Sequence, residues 1–147
     1  MELKKLSVND REMITELFVS VFTNDPWNDD WSDKNQLDSY ITDLTGNPNS
    51  LTLGYFSGEK LAGLSIGSIK HWYSGTEYFI DELCIAPEFQ RRGIGTAFVN
   101  DIRNYLLEMD IHNIYLTTIR NYPAFSFYKK LGFTELEELV PLISCFE

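Results

Sequence analysis

The stretch from Glu77 to Asn100 constrains this chain more than any other. Tyr78-Phe-Ile-Asp-Glu-Leu-Cys-Ile85 is rich in β-branched and aromatic residues and stops before Pro87, which predicts a strand. Ile94, Phe98, Ile102, Tyr105, Leu106 and Met109 then recur at three- and four-residue spacing, which predicts an amphipathic helix. Between the two lies Gln90-Arg-Arg-Gly-Ile-Gly95. Glycines let the backbone turn with its amides exposed, at the positive end of the following helix dipole. Two arginines stand beside them, so the turn reads as an anion site, with a phosphate as the expected anion. The Gly-Lys-Ser/Thr of a P-loop is missing, and Phe98 stands where a Rossmann fingerprint needs a third small residue.

A second signature lies downstream, in Asn121-Tyr-Pro-Ala-Phe-Ser-Phe-Tyr-Lys-Lys-Leu-Gly-Phe133. Together the two segments resemble the GNAT superfamily of acyl-CoA N-acyltransferases. The first resembles its Gln-x-x-Gly-x-Gly pyrophosphate loop, the second its Asn-x-x-Ala-x-x-Phe-Tyr-x-Lys-x-Gly-Phe segment. They stand in the family's order and, with the helix and strand between them, cover about half the chain. The resemblance implies acetyl-CoA as acyl donor, without a metal. Its pyrophosphate would sit on Gln90, Arg91, Arg92, Gly93, Ile94, Gly95 and Thr96. The pantetheine arm would pair with the backbone of Leu83, Cys84 and Ile85. Asn121, Ala124, Phe127 and Lys130 would complete the cofactor contacts, and Tyr128 would protonate the departing thiolate.

The 147 residues suffice for one domain with one core, and 44% hydrophobic with 23% charged residues is ordinary for a soluble globular chain. No apolar run is long enough to cross a membrane, and no targeting segment follows Met1. Two cysteines and no glycosylation sequon fit a reduced, cytoplasmic setting. A net charge of −10 argues against nucleic acid and favours cationic partners.

Taken in order, the pattern predicts a strand over Leu3–Val8 and a helix capped by Asn9 with Glu12 in the capping-box position. A second helix follows over Asp33–Thr45, then strands over Leu51–Phe56 and Leu61–Trp72. Gly63 and Gly67 in the latter suggest a bulge or a close backbone approach. After the central strand and helix come a strand over Asn113–Ile119, a short helix between Pro123 and Gly132, and a closing hairpin of Thr134–Leu136 with Leu139–Phe146. The whole is an α+β domain with a mixed central sheet and helices on both faces. The order of elements also matches the GNAT three-layer fold, in which two central strands splay apart around the thioester. Those would be Tyr78–Ile85 and Asn113–Ile119.

Acetyl transfer to an amine needs a base or a water path for the amine proton, a donor for the developing oxyanion, and an acid for the thiolate. Asp81 and Glu82 are the candidate bases, on opposite sheet faces because strand side chains alternate, with Asp81 on the face of Leu83 and Ile85. Some aminoglycoside 6′-N-acetyltransferases carry an acid at the place of Asp81, which makes Asp81 the first choice by resemblance and Glu82 the second. Where another branch, which acetylates ribosomal proteins, places a glutamate on the second splayed strand, this chain has Leu116, Thr117 and Thr118.

Thr23–Ser32 alternates Trp27 and Trp31 with Asp25, Asp29 and Asp30, and could wall an amine site, with Trp72 as a further wall. The alternative is that the tryptophans plug the core. The expected substrate is a small cationic amine resembling an aminoglycoside or polyamine. A protein N-terminus or lysine is the other acceptor, and a non-catalytic acyl-CoA-binding protein the other function. Family analogy allows a homodimer. Gly63-Leu-Ser-Ile-Gly67 also spells a hydrolase nucleophile motif, but no helix pattern follows it. His71 and His112 are the only histidines, so no metal set is spelled out.

Overall fold

The structure, a computed structural model, describes all 147 residues. They divide into two compact units, residues 1–117 and 118–147. The first holds one five-stranded sheet in the order β1-β2-β3-β4-β5. Its strands are β1 (Glu2–Lys5), β2 (Ser50–Ser57), β3 (Lys60–Trp72), β4 (Gly75–Ile85) and β5 (Asn113–Leu116). The first four pair antiparallel and β5 joins β4 in parallel, so the sheet is mixed.

Two cores follow from the alternation of side chains along these strands. On one face, α1 (Arg11–Phe22) and α2 (Lys34–Thr45) bury Ile14, Phe18, Leu37 and Ile41 against Leu64, Ile66 and Cys84. On the other, α3 (Ile94–Glu108) buries Phe98, Ile102 and Leu106 against Leu53, Tyr55, Tyr78 and Ile80. Each such side chain contributes roughly 1.5–3 kcal/mol when fully buried. The last residue of the α3 stripe, Met109, is instead a half-exposed C-terminal cap. The α1 entry also differs from expectation. Ser7 and Asp10 form the capping box around a 3-10 turn over Val8–Asp10, and α1 starts only at Arg11. A carboxylate three residues after Ser7 fills the reciprocal role that Glu12 would have played for Asn9.

Both strand glycines have a reason. A Cβ on Gly63 would meet the Phe98 ring at 3.0 Å, so its absence lets α3 close on the sheet. A Cβ on Gly67 would stand 2.2 Å from the Phe79 carbonyl, which no side chain tolerates. That close approach lies at a bulge. Ile66 pairs with Glu82 and Gly67 with Ile80, so Asp81 is the extra residue on β4. The serine motif sits inside β3. Ser65 is fully buried and its hydroxyl lies 2.9 Å from that of Tyr78, so it is no exposed nucleophile at a strand-to-helix turn.

β4 and β5 part where the bulge falls. Their ladder runs from Glu77 with Asn113 to Ile80 with Leu116 and stops, while β4 continues to Ile85. Thr117 to Ile119, expected to extend β5, lie outside it. A bulge adds local twist, which accounts for the parting and leaves the β5-facing backbone edge of Asp81–Ile85 unpaired.

The second unit carries α4 (Pro123–Lys130), with Pro123 in its first turn and Gly132 in the left-handed region (φ 85°) just past its end. The expected closing hairpin over residues 134–146 does not form, and no strand follows α4. Leu142, Ile143 and Phe146 are about 90% exposed there. Their apolar run gave no polar alternation to fix a register, and Pro141 removes a ladder donor from its middle.

Candidate active site

The anion loop forms as its composition demands. After β4, Pro87–Phe89 make a 3-10 turn, and Arg91 and Gly93 take positive φ (60° and 76°) before α3 begins at Ile94. Ala97 is the first amide of α3 to reach a helical acceptor, the Gly93 carbonyl at 3.2 Å. The amides of Ile94, Gly95 and Thr96 are left without intrahelical partners at the positive end of a fifteen-residue helix. Gln90 folds back, its side-chain amide donating to the Ile85 carbonyl at 2.9 Å, and so ties the loop to the strand end. Arg92 lies over the Phe89 ring and donates to the Glu88 carbonyl at 3.2 Å, while Arg91 is exposed. Loop amides and guanidiniums fit a pyrophosphate, and the unpaired β4 edge beside them fits an amide-bearing arm such as pantetheine. Cys84 is buried and Leu83 and Ile85 are part-buried, and the Ile85 carbonyl is already taken by Gln90.

Next along β4 stands the acidic centre. Glu82 shares the face of its partner Ile66, toward α1 and α2. There the Tyr40 hydroxyl of α2 donates to its Oε1 at 2.6 Å. Burial pushes the Glu82 carboxyl up to about 7; the Tyr40 hydrogen bond opposes the rise, and the charges of Asp29 and Asp81 add to it. Tyr40 itself is pushed far above the ordinary phenol range by burial and by Glu82, so it stays protonated and donating. Asp81, the exposed bulge residue, is raised by desolvation while Lys70 pulls it down. Its charge adds a smaller upward push at Tyr40, Glu82 and Tyr78. The regular alternation from which Asp81 was expected opposite Glu82 is interrupted at this bulge.

The segment between α1 and α2 meets this centre through its tryptophans, which plug the core as the second reading expected. Trp27 and Trp31 pack against the core, Trp27 tilted on Phe22 (5.5 Å) and Trp31 edge-on to Phe18 (5.4 Å). Trp31 also stacks on Tyr40, with ring centroids 5.1 Å apart and planes at 18°. Its indole Nε1 is buried without a hydrogen-bond partner. Asp29 is exposed, and its charge is felt at Tyr40 and Glu82. Asp30 is occupied locally: hydrogen bonding from the Ser32 side chain, and then from the Ser32 amide at 3.0 Å, lowers its carboxyl below the usual range. Trp72 is elsewhere. It pairs with Gly75 at the tip of the β3–β4 hairpin, six residues from Ile66, or roughly 20 Å of strand at about 3.3 Å per residue. In the sequence Tyr40 is one residue of an apolar stripe with Leu37, Ile41 and Leu44, and its signal is that a phenol in such a stripe needs a partner for its hydroxyl.

In the second unit, Tyr128 lies part-buried on α4 between the rings of Phe127 (5.3 Å) and Phe133 (5.2 Å). Asn121 and Lys130 are exposed at the two ends of the helix and Ala124 is part-buried in its first turn. Arg120 pairs with Glu135 across the unit.

Sequence comparison gives the class of protein. Residues 11–133 match the Acetyltransferase (GNAT) family, and the chain belongs to it. A 59-residue segment is 39% identical to an uncharacterised N-acetyltransferase of Methanocaldococcus jannaschii, covering 40% of this chain and 26% of that relative. The match thus spans about a quarter of the relative's length. Among solved structures, a possible acetyltransferase from Clostridium difficile 630 superposes with a TM-score of 0.82 at 16% identity, over 99% of this chain and 98% of the other. AAC(6′)-Iy, in complex with the bisubstrate analogue CoA-S-monomethyl-acetylneamine, superposes at 0.74 with 14% identity, over 99% and 98%. At these identities the likeness is one of fold. No helix is long and apolar enough to cross a membrane.

Proposed function

We propose that the chain transfers the acetyl group of acetyl-CoA to the primary amine of a small cationic acceptor, with Glu82 as the base. The observation that carries this reading is the Glu82 carboxyl, pushed up to about 7 and held by Tyr40 beside the unpaired β4 edge. A base with that proton affinity is half ionised near neutrality and takes a proton well there. Acetyl-CoA supplies the activated acyl group as a thioester. The Ile94–Thr96 amides with Arg91 and Arg92 hold its diphosphate, and the Asp81–Ile85 edge aligns the arm. Glu82 removes a proton from the acceptor ammonium, directly or through one water, so that the nitrogen lone pair attacks the thioester carbon. A β4 edge amide meets the charge that develops on the carbonyl oxygen. The C–N bond forms, the C–S bond breaks, and the nitrogen gives its second proton to solvent, as Glu82 later does with the first. By motif position, Tyr128 gives the thiolate its proton and is reprotonated from solvent.

Asp29 and Asp81 attract the ammonium electrostatically, and the Trp27 and Trp31 rings give the α1–α2 segment its fixed shape. An amino sugar or polyamine suits that acidic setting, and AAC(6′)-Iy, similar in fold, carries an amino-sugar moiety in its bisubstrate analogue. Neutralising Asp29 as Asp29→Asn is expected to raise the acceptor KM about three- to tenfold and leave the acetyl-CoA KM unchanged. Steady-state kinetics with each substrate varied in turn measures this. An unchanged acceptor KM would remove the α1–α2 segment from the acceptor site.

A further inference from the structure

Glu82 is not held by the sheet alone. The Tyr40 hydroxyl, 42 residues away on α2, donates to it across the layer. The Tyr40 ring is itself fixed by near-parallel stacking on Trp31 (5.1 Å, 18°) and by a tilted contact with Phe18 at 5.9 Å. Trp31 in turn stands edge-on to Phe18, so three rings from α1, the α1–α2 segment and α2 close on one another. The indole Nε1 of Trp31 is buried with no acceptor. Leaving a donor so costs stability, which marks the ring's placement as set by the stack and not by its own polar group. We infer that Tyr40 is the positioning residue for Glu82, and that Trp31 holds Tyr40 in place, so that the α1–α2 segment and the β4 carboxylate act as one unit. This inference rests on the reading of Glu82 as the base.

The chemistry of the contact supports it. One oxygen, Oε1, is taken by Tyr40, which leaves Oε2 for the acceptor proton. The hydroxyl is a donor at every working pH, because burial and the Glu82 charge keep the phenol protonated. Donation to the carboxylate favours its ionised form and opposes the burial that disfavours it. Asp29 from the α1–α2 segment and Asp81 from β4 push the other way, and the thiol of Cys84, itself raised by burial, stays neutral. Lys70 on β3 acts on Asp81. The Tyr40 hydroxyl is thus what offsets burial and two like charges at Glu82.

The test removes only that hydroxyl, as Tyr40→Phe, which keeps the stack. Two readouts are needed. The titration of Glu82, followed by carbon-13 NMR of the side-chain carboxyl without any substrate, is expected to move up by on the order of one pH unit. The acid-side limb of kcat/KM is expected to move with it. Turnover would then fall roughly tenfold at pH 6 and little at pH 9. Trp31→Ala, which leaves the Tyr40 hydroxyl but removes its stacking partner, is expected to shift the titration in the same direction, and Trp31→Phe by less. An unmoved Glu82 titration in folded Tyr40→Phe protein would overturn the inference, whatever Glu82 does in catalysis. If the titration moves but the kinetic limb does not, the reading of Glu82 as base falls, and the positioning role in catalysis falls with it.

Discussion

Glu82→Gln is expected to lower kcat/KM by on the order of 10² to 10⁴ and to erase the acid-side limb of the pH profile. The sign follows from the carboxyl's position. Its affinity for a proton is raised in the fold, from 4.5 to about 7, so below that pH it is protonated and cannot accept another proton. Activity should therefore rise with pH through about 7 in the native chain. In the glutamine variant the rise should follow the acceptor amine's own deprotonation, at higher pH. Stability should change oppositely. A carboxyl whose proton affinity is higher folded than unfolded destabilises the fold once it ionises, so stability is lost as pH rises from about 4.5 to about 7. Glu82→Gln keeps an oxygen for Tyr40 to donate to and removes that charge. It is expected to melt at or above the native temperature at pH 8, which separates lost chemistry from lost folding. Asp81→Asn is the companion measurement. If it erases the limb and Glu82→Gln does not, the base is Asp81.

Tyr128→Phe is expected to lower kcat by on the order of 10² to 10⁴ while the acetyl-CoA KM changes little. The substitution deletes a hydroxyl and keeps the ring that lies between Phe127 and Phe133, so α4 keeps its packing. A thiolate that must leave without an acid pays in the barrier for the charge it carries away. The effect should be smaller for an acyl-CoA analogue whose thiol is more acidic, since such a leaving group needs less help. Full turnover in the variant would mean that solvent protonates the thiolate.

Where the chain announces local geometry, sequence reasoning read it. The β4–loop–α3 unit, the hairpin of β2 and β3, and the α4 boundaries at Pro123 and Gly132 follow from periodicity, glycine and proline placement. Gly63 and Gly67 marked a bulge and close contacts from composition alone. What needed partners distant in sequence did not show. The consequence of the bulge for Asp81 and Glu82 depends on the β3 register, which one strand's alternation cannot reveal. The Tyr40–Glu82 bond joins residues 42 apart, and α2's stripe gave no hint of which carboxylate it would meet. The C-terminal segment failed for the reverse reason. Its residues suit a strand, yet a strand exists only where an edge takes up its backbone, and residues 134–147 form no ladder.

Acetyl transfer itself is measured most directly by incubating the protein with acetyl-CoA and a panel of amines, namely amino sugars, polyamines and a peptide with a free N-terminus. Mass spectrometry then follows the acceptors, and a thiol reagent follows free CoA. One or more of the small multiply charged amines is expected to gain one acetyl group per CoA released. The rate is expected to rise with pH through about 7. Acetyl-CoA binding by calorimetry, with no amine of any class acetylated and no CoA released at any pH, would contradict acetyl transfer and leave an acyl-CoA-binding protein without catalysis.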